Sequence, residues 1–203
     1  MTSAGLRRFI LIGGAATLLM AAVWGGIGWI RGGAPGDYEV RQGDILLGDA
    51  KFGQAIERFD AALAKTPDHR GALLGKAAAL IGLDRLDAAE TLLTHTIEAL
   101  TAAYDPADAT GRGALAAAYA NRGIVRDRQG RYVQALADYT ASMQIDREIA
   151  SGPGWIDWLL HYDRKPSSVA GRARYLRDQL RKPEAERLMR LPQLDAKQRM
   201  YKP

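Results

Sequence analysis

The stretch 116–148 constrains the fold most. Small and apolar residues recur in it at helical spacing on both sides of one glycine turn, Gln129-Gly130-Arg131. It therefore predicts two antiparallel helices packed face to face. Such a hairpin cannot cover its own apolar face, and a chain that supplies the cover by repetition becomes a solenoid, each hairpin stacked on the next. Upstream the pattern recurs twice. Small or aromatic residues stand at Gly43, Leu46, Phe52, Ala55, Phe59 and Ala62, with Pro67 closing the unit. A period of about 34 residues later come Ala77, Leu80, Leu86, Ala89 and Leu93.

These spacings have a physical reason. Gly43 and Ala55 let the two helices of a pair approach closely, Phe59 plugs the gap to the next pair, and Pro67 ends the second helix. In the third unit Tyr119, Gly123, Gly130, Tyr132, Ala135 and Tyr139 stand at the same offsets. At these positions the chain resembles the tetratricopeptide repeat (TPR) family. The resemblance implies an all-α fold: a TPR-like α-solenoid of three helical hairpins, over about 37–69, 70–103 and 116–149. It also implies a module that holds other proteins in a concave groove. Three units are about the minimum for a stable solenoid, and the open end needs a cap with a polar outer face.

The chain departs from the family pattern at Thr96, Thr101 and Ser142, which stand where small alanines or a proline are usual. The second unit's last helix is thus expected to run to about Tyr104, with Asp105 as the N-cap of a new element and Pro106 at its first helical position. The dozen residues from Tyr104 to Leu115 break the period. They either lengthen the next first helix, which is the preferred reading, or form a loop.

Residues 9–30 carry no charge. Such a run is about as long as a helix needs to cross roughly 30 Å of hydrocarbon. Arg7 and Arg8 precede it, Trp24 and Trp29 fall toward its far end, and Asp37 and Glu39 come after it. This predicts a single-pass inner-membrane protein, with residues 1–8 cytoplasmic, 9–30 transmembrane, 31–36 a Gly-rich linker and the solenoid periplasmic. A cleaved signal peptide, which would release a soluble secreted adaptor, also fits a basic start followed by an apolar run. The net charge of +5 is split: residues 37–163 hold 13 Lys/Arg against 19 Asp/Glu, while residues 164–203 hold 12 against 4. The basic balance thus belongs to a C-terminal extension, 150–203, and not to the repeats. That tail could meet lipid head groups, an acidic partner or only solvent.

In the extension, Trp155, Trp158, Leu159 and Tyr162 form one helical stripe that either closes the third hairpin or docks a partner. Ser167 or Ser168 can cap a helix to about Leu180, with Ala170, Ala173, Leu176 and Leu180 inward and Arg172, Arg174, Arg177 and Arg181 outward. Pro183 is expected to start a shorter helix to about Leu191.

No phosphate loop, nucleophile elbow or zinc-protease motif occurs, and His69, His95 and His161 are scattered. The absence of cysteine removes thiolate chemistry. The expectation is a non-enzyme with no cofactor, no metal, no small-molecule substrate and no nucleic-acid partner. The family register implies a partner-binding groove lined by Val40, Asp44, Leu47, Leu74, Ala78, Ile81, Ala117, Ala120, Ile124, Asp127 and Arg128. It suits an amphipathic helix or a partly apolar extended segment, unless the protein's own C-terminal helices fill it. If the groove is open, Ile124→Asp should spare folding and weaken capture.

Overall fold

A computed structural model of the chain describes residues 33–146 and 168–191, together with Gly14, Thr17, Leu19 and Met20. The chain divides into two units, Met1–Ala34 and Pro35–Pro203. In the first unit Gly14, Thr17, Leu19 and Met20 are helical, and the rest of the run 9–30 lies outside the described residues. Among the described residues no helix is long and apolar enough to cross a membrane.

The second unit is all-α in its described parts. Its described helices are α1 (Asp37–Gly48), α2 (Phe52–Lys65), α3 (Arg70–Gly82), α4 (Leu86–Ala102), α5 (Ala109–Arg128), α6 (Tyr132–Ile145) and α7 (Val169–Leu180). Helices α1 to α6 pair in sequence as three hairpins, and α7 packs on α6. The aromatic stripe from Trp155 to Tyr162 lies outside the described residues.

One turn is used three times. Ala50, Asp84 and Gly130 all have positive φ, at 57°, 57° and 78°. Each is followed by an N–H that reaches five residues back: Lys51 to Leu46, Arg85 to Leu80 and Arg131 to Arg126, at 2.8, 2.9 and 2.8 Å. This is the helix-ending motif that satisfies last-turn carbonyls with one left-handed residue. Only the third copy carries the glycine that suits it. Ala50 holds a conformation that costs an L-residue about 1–2 kcal/mol, so Ala50→Gly is expected to raise stability by roughly 0.5–1 kcal/mol after the added freedom of the unfolded chain is subtracted. Urea melts would show it as a higher midpoint at unchanged slope.

The register set by these turns carries the core. The first-helix slot is Gly43, Ala77 and Gly123, and the second-helix slot is Ala55, Ala89 and Ala135; all six are buried. The plug slot is Phe59, Leu93 and Tyr139, each with no exposed surface. A Cβ on Gly43 would come within 2.5 Å of the Phe59 ring, and one on Gly75 would also run into it, so the ring is wedged between the first helices of two successive hairpins. The departures fit the same slots. Thr96 and Ser142 are buried where Ala62 is, and the Thr96 hydroxyl donates to the Leu92 carbonyl at 2.8 Å.

Helix α4 ends at Ala102, and α5 is the longest described helix, with 20 residues. Part of the inserted dozen thus lengthens the first helix of the third hairpin. The expected cap is corrected: α5 is capped by Asp108, whose carboxylate accepts from Gly111 N–H at 2.9 Å and pairs with Arg70 at 2.7 Å. Asp105 instead accepts from Ala107 N–H, an Asx turn before the helix.

A charged lattice joins the second and third hairpins. Arg126 on α5 bonds Glu90 on α4 at 3.0 Å and Asp138 on α6 at 2.9 Å, Arg122 pairs with Asp138 at 2.8 Å, and Arg131 also reaches Glu90. Burial pushes the Glu90 carboxyl up, but the hydrogen bonds from Arg131 and Arg126 outweigh it and hold Glu90 below its usual 4.5. A depressed folded-state carboxyl contributes stability that is present above its unfolded value and is lost as pH falls through the folded one. The stability difference between wild type and Glu90→Gln should accordingly be largest at neutral pH and shrink as pH falls below 4.5. Melting curves across that range test it.

The C-terminal extension differs from expectation in two places. Ser168 does cap α7, accepting from Gly171 N–H at 3.0 Å, and Val169, Ala173 and Leu176 enter the core. Arg172, however, points inward and is buried. After Pro183 there is only one 3-10 turn, Glu184–Glu186, and no shorter helix to Leu191.

Candidate protein-binding groove

The groove positions are carried by α1, α3 and α5, which pack in order, α1 on α3 and α3 on α5. Along α1, Val40 is nearly buried while Asp44 and Leu47 remain half-exposed. Along α3 and α5, Leu74, Ala78, Ile81, Ala117, Ala120 and Ile124 are each at most 1% exposed. The expected face is thus accessible at its first-hairpin end and closed over the second and third. Ile124→Asp is corrected accordingly: a carboxylate forced into this core should destabilise the fold by several kcal/mol, seen as a lowered melting temperature.

The polar groove positions at the far end are already engaged. Asp127 is 2% exposed. It accepts from Arg172 Nε and Nη2 of α7 at 2.7 and 2.8 Å, a two-pronged buried ion pair, and from the Tyr139 hydroxyl at 3.2 Å. Arg128 donates to the Ile81 carbonyl at 3.3 Å, tying α5 to α3, while its own carbonyl accepts from Arg190. The C-terminal extension therefore sits on the third-hairpin end of the face.

Family register alone does not point to Arg172, Tyr175 and Gln179, which belong to no repeat. The sequence nonetheless holds a signal for Arg172: it lies three residues after Val169 and four before Leu176, on the stripe that α7 buries. An arginine on an apolar stripe calls for a buried acid, and Asp127 is that acid.

Among the described residues no group of three or more His, Cys, Asp or Glu side chains could hold a metal ion. His69 faces Asp37 at 2.8 Å, linking α1 to the start of α3, and His95 is exposed. His161 lies outside the described residues.

Residues 46–104 match the family model described as Tetratricopeptide repeat. The match runs from the last turn of α1 to just past α4, and the third hairpin repeats its turn and its buried slots. Helical hairpins similar to tetratricopeptide repeats suggest a scaffold for protein–protein interaction, a module that is in general non-catalytic. No curated protein matches the chain.

Proposed function

We propose that the chain is a membrane-anchored, non-catalytic scaffold that serves as a subunit or assembly factor of a membrane or periplasmic complex. The observation that carries the scaffold reading is the thrice-repeated hairpin with its family match over 46–104. The anchor reading is supported by the uncharged run 9–30, by the helical backbone at Gly14, Thr17, Leu19 and Met20, and by the exposure of Leu19 and Met20. In this reading the amino terminus is cytoplasmic and the solenoid periplasmic. Anchoring raises the local concentration of the solenoid beside a membrane complex, so that modest intrinsic affinity suffices to hold a partner.

Purification of the full-length chain in mild detergent, beside a chain beginning at Gly36, tests this. Co-purification of one membrane complex with the full-length chain alone supports an anchored subunit. Recovery of the same soluble protein with both forms favours a released adaptor, and N-terminal sequencing of the mature protein then decides whether residues 9–30 are removed.

A further inference from the structure

The last described helix, α7, holds an extended piece of backbone by its main chain. Arg172, Tyr175 and Gln179 share one face of α7. Gln179 Oε1 accepts from Leu188 N–H at 3.0 Å, the Tyr175 hydroxyl donates to the Leu188 carbonyl, and Arg172 Nη2 donates to the Met189 carbonyl at 3.0 Å. None of these bonds involves a side chain of the held segment. Met189 is partly buried against the main core, whereas Leu188 is 63% exposed. Arg190 then donates to the carbonyl of Arg128, the last residue of α5, where the helix dipole favours a cation. Arg172 connects the two features, since the guanidinium that bonds Met189 also holds Asp127 in the groove and lies 5.3 Å from the Tyr175 ring centroid.

We propose that residues 187–191 are a built-in ligand, and that the surface beneath them docks an extended segment of a partner protein bearing an apolar residue followed by arginine. The proposal deepens the scaffold reading and rests on it. Main-chain recognition is indifferent to side chains, so an incoming extended segment can make the same three bonds, and sequence preference rests on the side-chain contacts of Met189, Arg190 and Arg187, which donates to the Lys182 and Leu180 carbonyls at 2.9 and 3.4 Å. The resident segment comes after α7 and a single 3-10 turn, Glu184–Glu186, and its hold benefits from the high effective concentration of a short tether. It is short, lies at the surface and turns the large apolar side chain of Leu188 to solvent, so its local opening is inexpensive compared with unfolding of the core. The site stays covered until a competing segment arrives.

The probe is a labelled synthetic peptide of residues 184–194, EAERLMRLPQL, added to the full-length chain in mild detergent. Met189→Asp in the chain should release the resident segment and raise peptide affinity about tenfold or more. Adding Tyr175→Phe and Gln179→Ala to that chain should abolish the gain. In the wild-type chain, saturating peptide should raise deuterium uptake across 187–191 severalfold, a readout that does not depend on the variant folding. Unchanged uptake together with no affinity gain for Met189→Asp overturns the proposal. So does a wild-type dimer, seen by light scattering, whose 187–191 amides lose protection on dilution, because the seat would then belong to a second copy of the chain. Failure to recover a cellular complex would count against the scaffold reading and leave the peptide exchange standing, so the two failures are distinguishable.

Discussion

Phe59→Ala is expected to lower the stability of the solenoid by about 3–5 kcal/mol. The ring is fully buried and fills the space between Gly43 and Gly75, on the first helices of two successive hairpins. An alanine cannot occupy that space, and α1 and α3 cannot close over it without shifting the turns that fix their register. The loss is local to the first hairpin and its junction with the second. Urea titration followed by circular dichroism measures it, and hydrogen exchange should place the weakened amides in α1 and α2. A wild-type midpoint would mean that the plug does not hold the hairpins together. The reverse change, Gly75→Leu, should destabilise through the opposite fault, by driving a side chain into the ring.

Arg172→Ala should have a comparable effect, about 3–5 kcal/mol, for a different reason. It strips two bonds from a carboxylate that is nearly inaccessible to water, and burial of the unrelieved charge is the source of the cost. The double variant Asp127→Asn with Arg172→Met removes both charges and should recover most of the loss, since a buried pair contributes less than the removal of one partner suggests. Melts of the two singles and the double give the coupling energy directly. Additive losses would mean that the two side chains do not depend on each other.

Legibility in the sequence tracks which interactions are local. The hairpins and their buried slots can be read because helices that cross closely admit only small residues there, and Gly43, Ala55, Ala77, Ala89, Gly123 and Ala135 write that demand into the chain at a fixed period. The left-handed turns are visible only at Gly130, since Ala50 and Asp84 hold the same conformation without the residue that advertises it. Between Asp105 and Asp108 the choice of cap rests on Arg70, a partner 38 residues away that no local pattern contains. Charge usually means solvent, which favours an outward Arg172; its inward turn depends on Asp127, 45 residues back. The closed face along α3 and α5 is likewise invisible, because family register says which way a side chain points and nothing about what covers it.

The fully buried apolar side chains fall into two clusters, with the partly buried Ile56 packed against both. Val40, Ala55, Phe59, Ala62, Ala72 and Ala79 make one cluster, and the larger cluster runs from Leu74 through the second and third hairpins to Leu176 of α7. A stack of hairpins coupled only to their neighbours can open from an end, and here the smaller cluster lies at the first-hairpin end. The first hairpin should thus behave as a separate cooperative unit, opening while the remainder keeps its order. Asp44 and Leu47, two of the three groove positions that remain half-exposed, lie on that unit. A partner bound there would stabilise the hairpin as it binds, so part of its binding energy would appear as folding of α1 and α2 and the affinity would fall as that hairpin loosens with temperature.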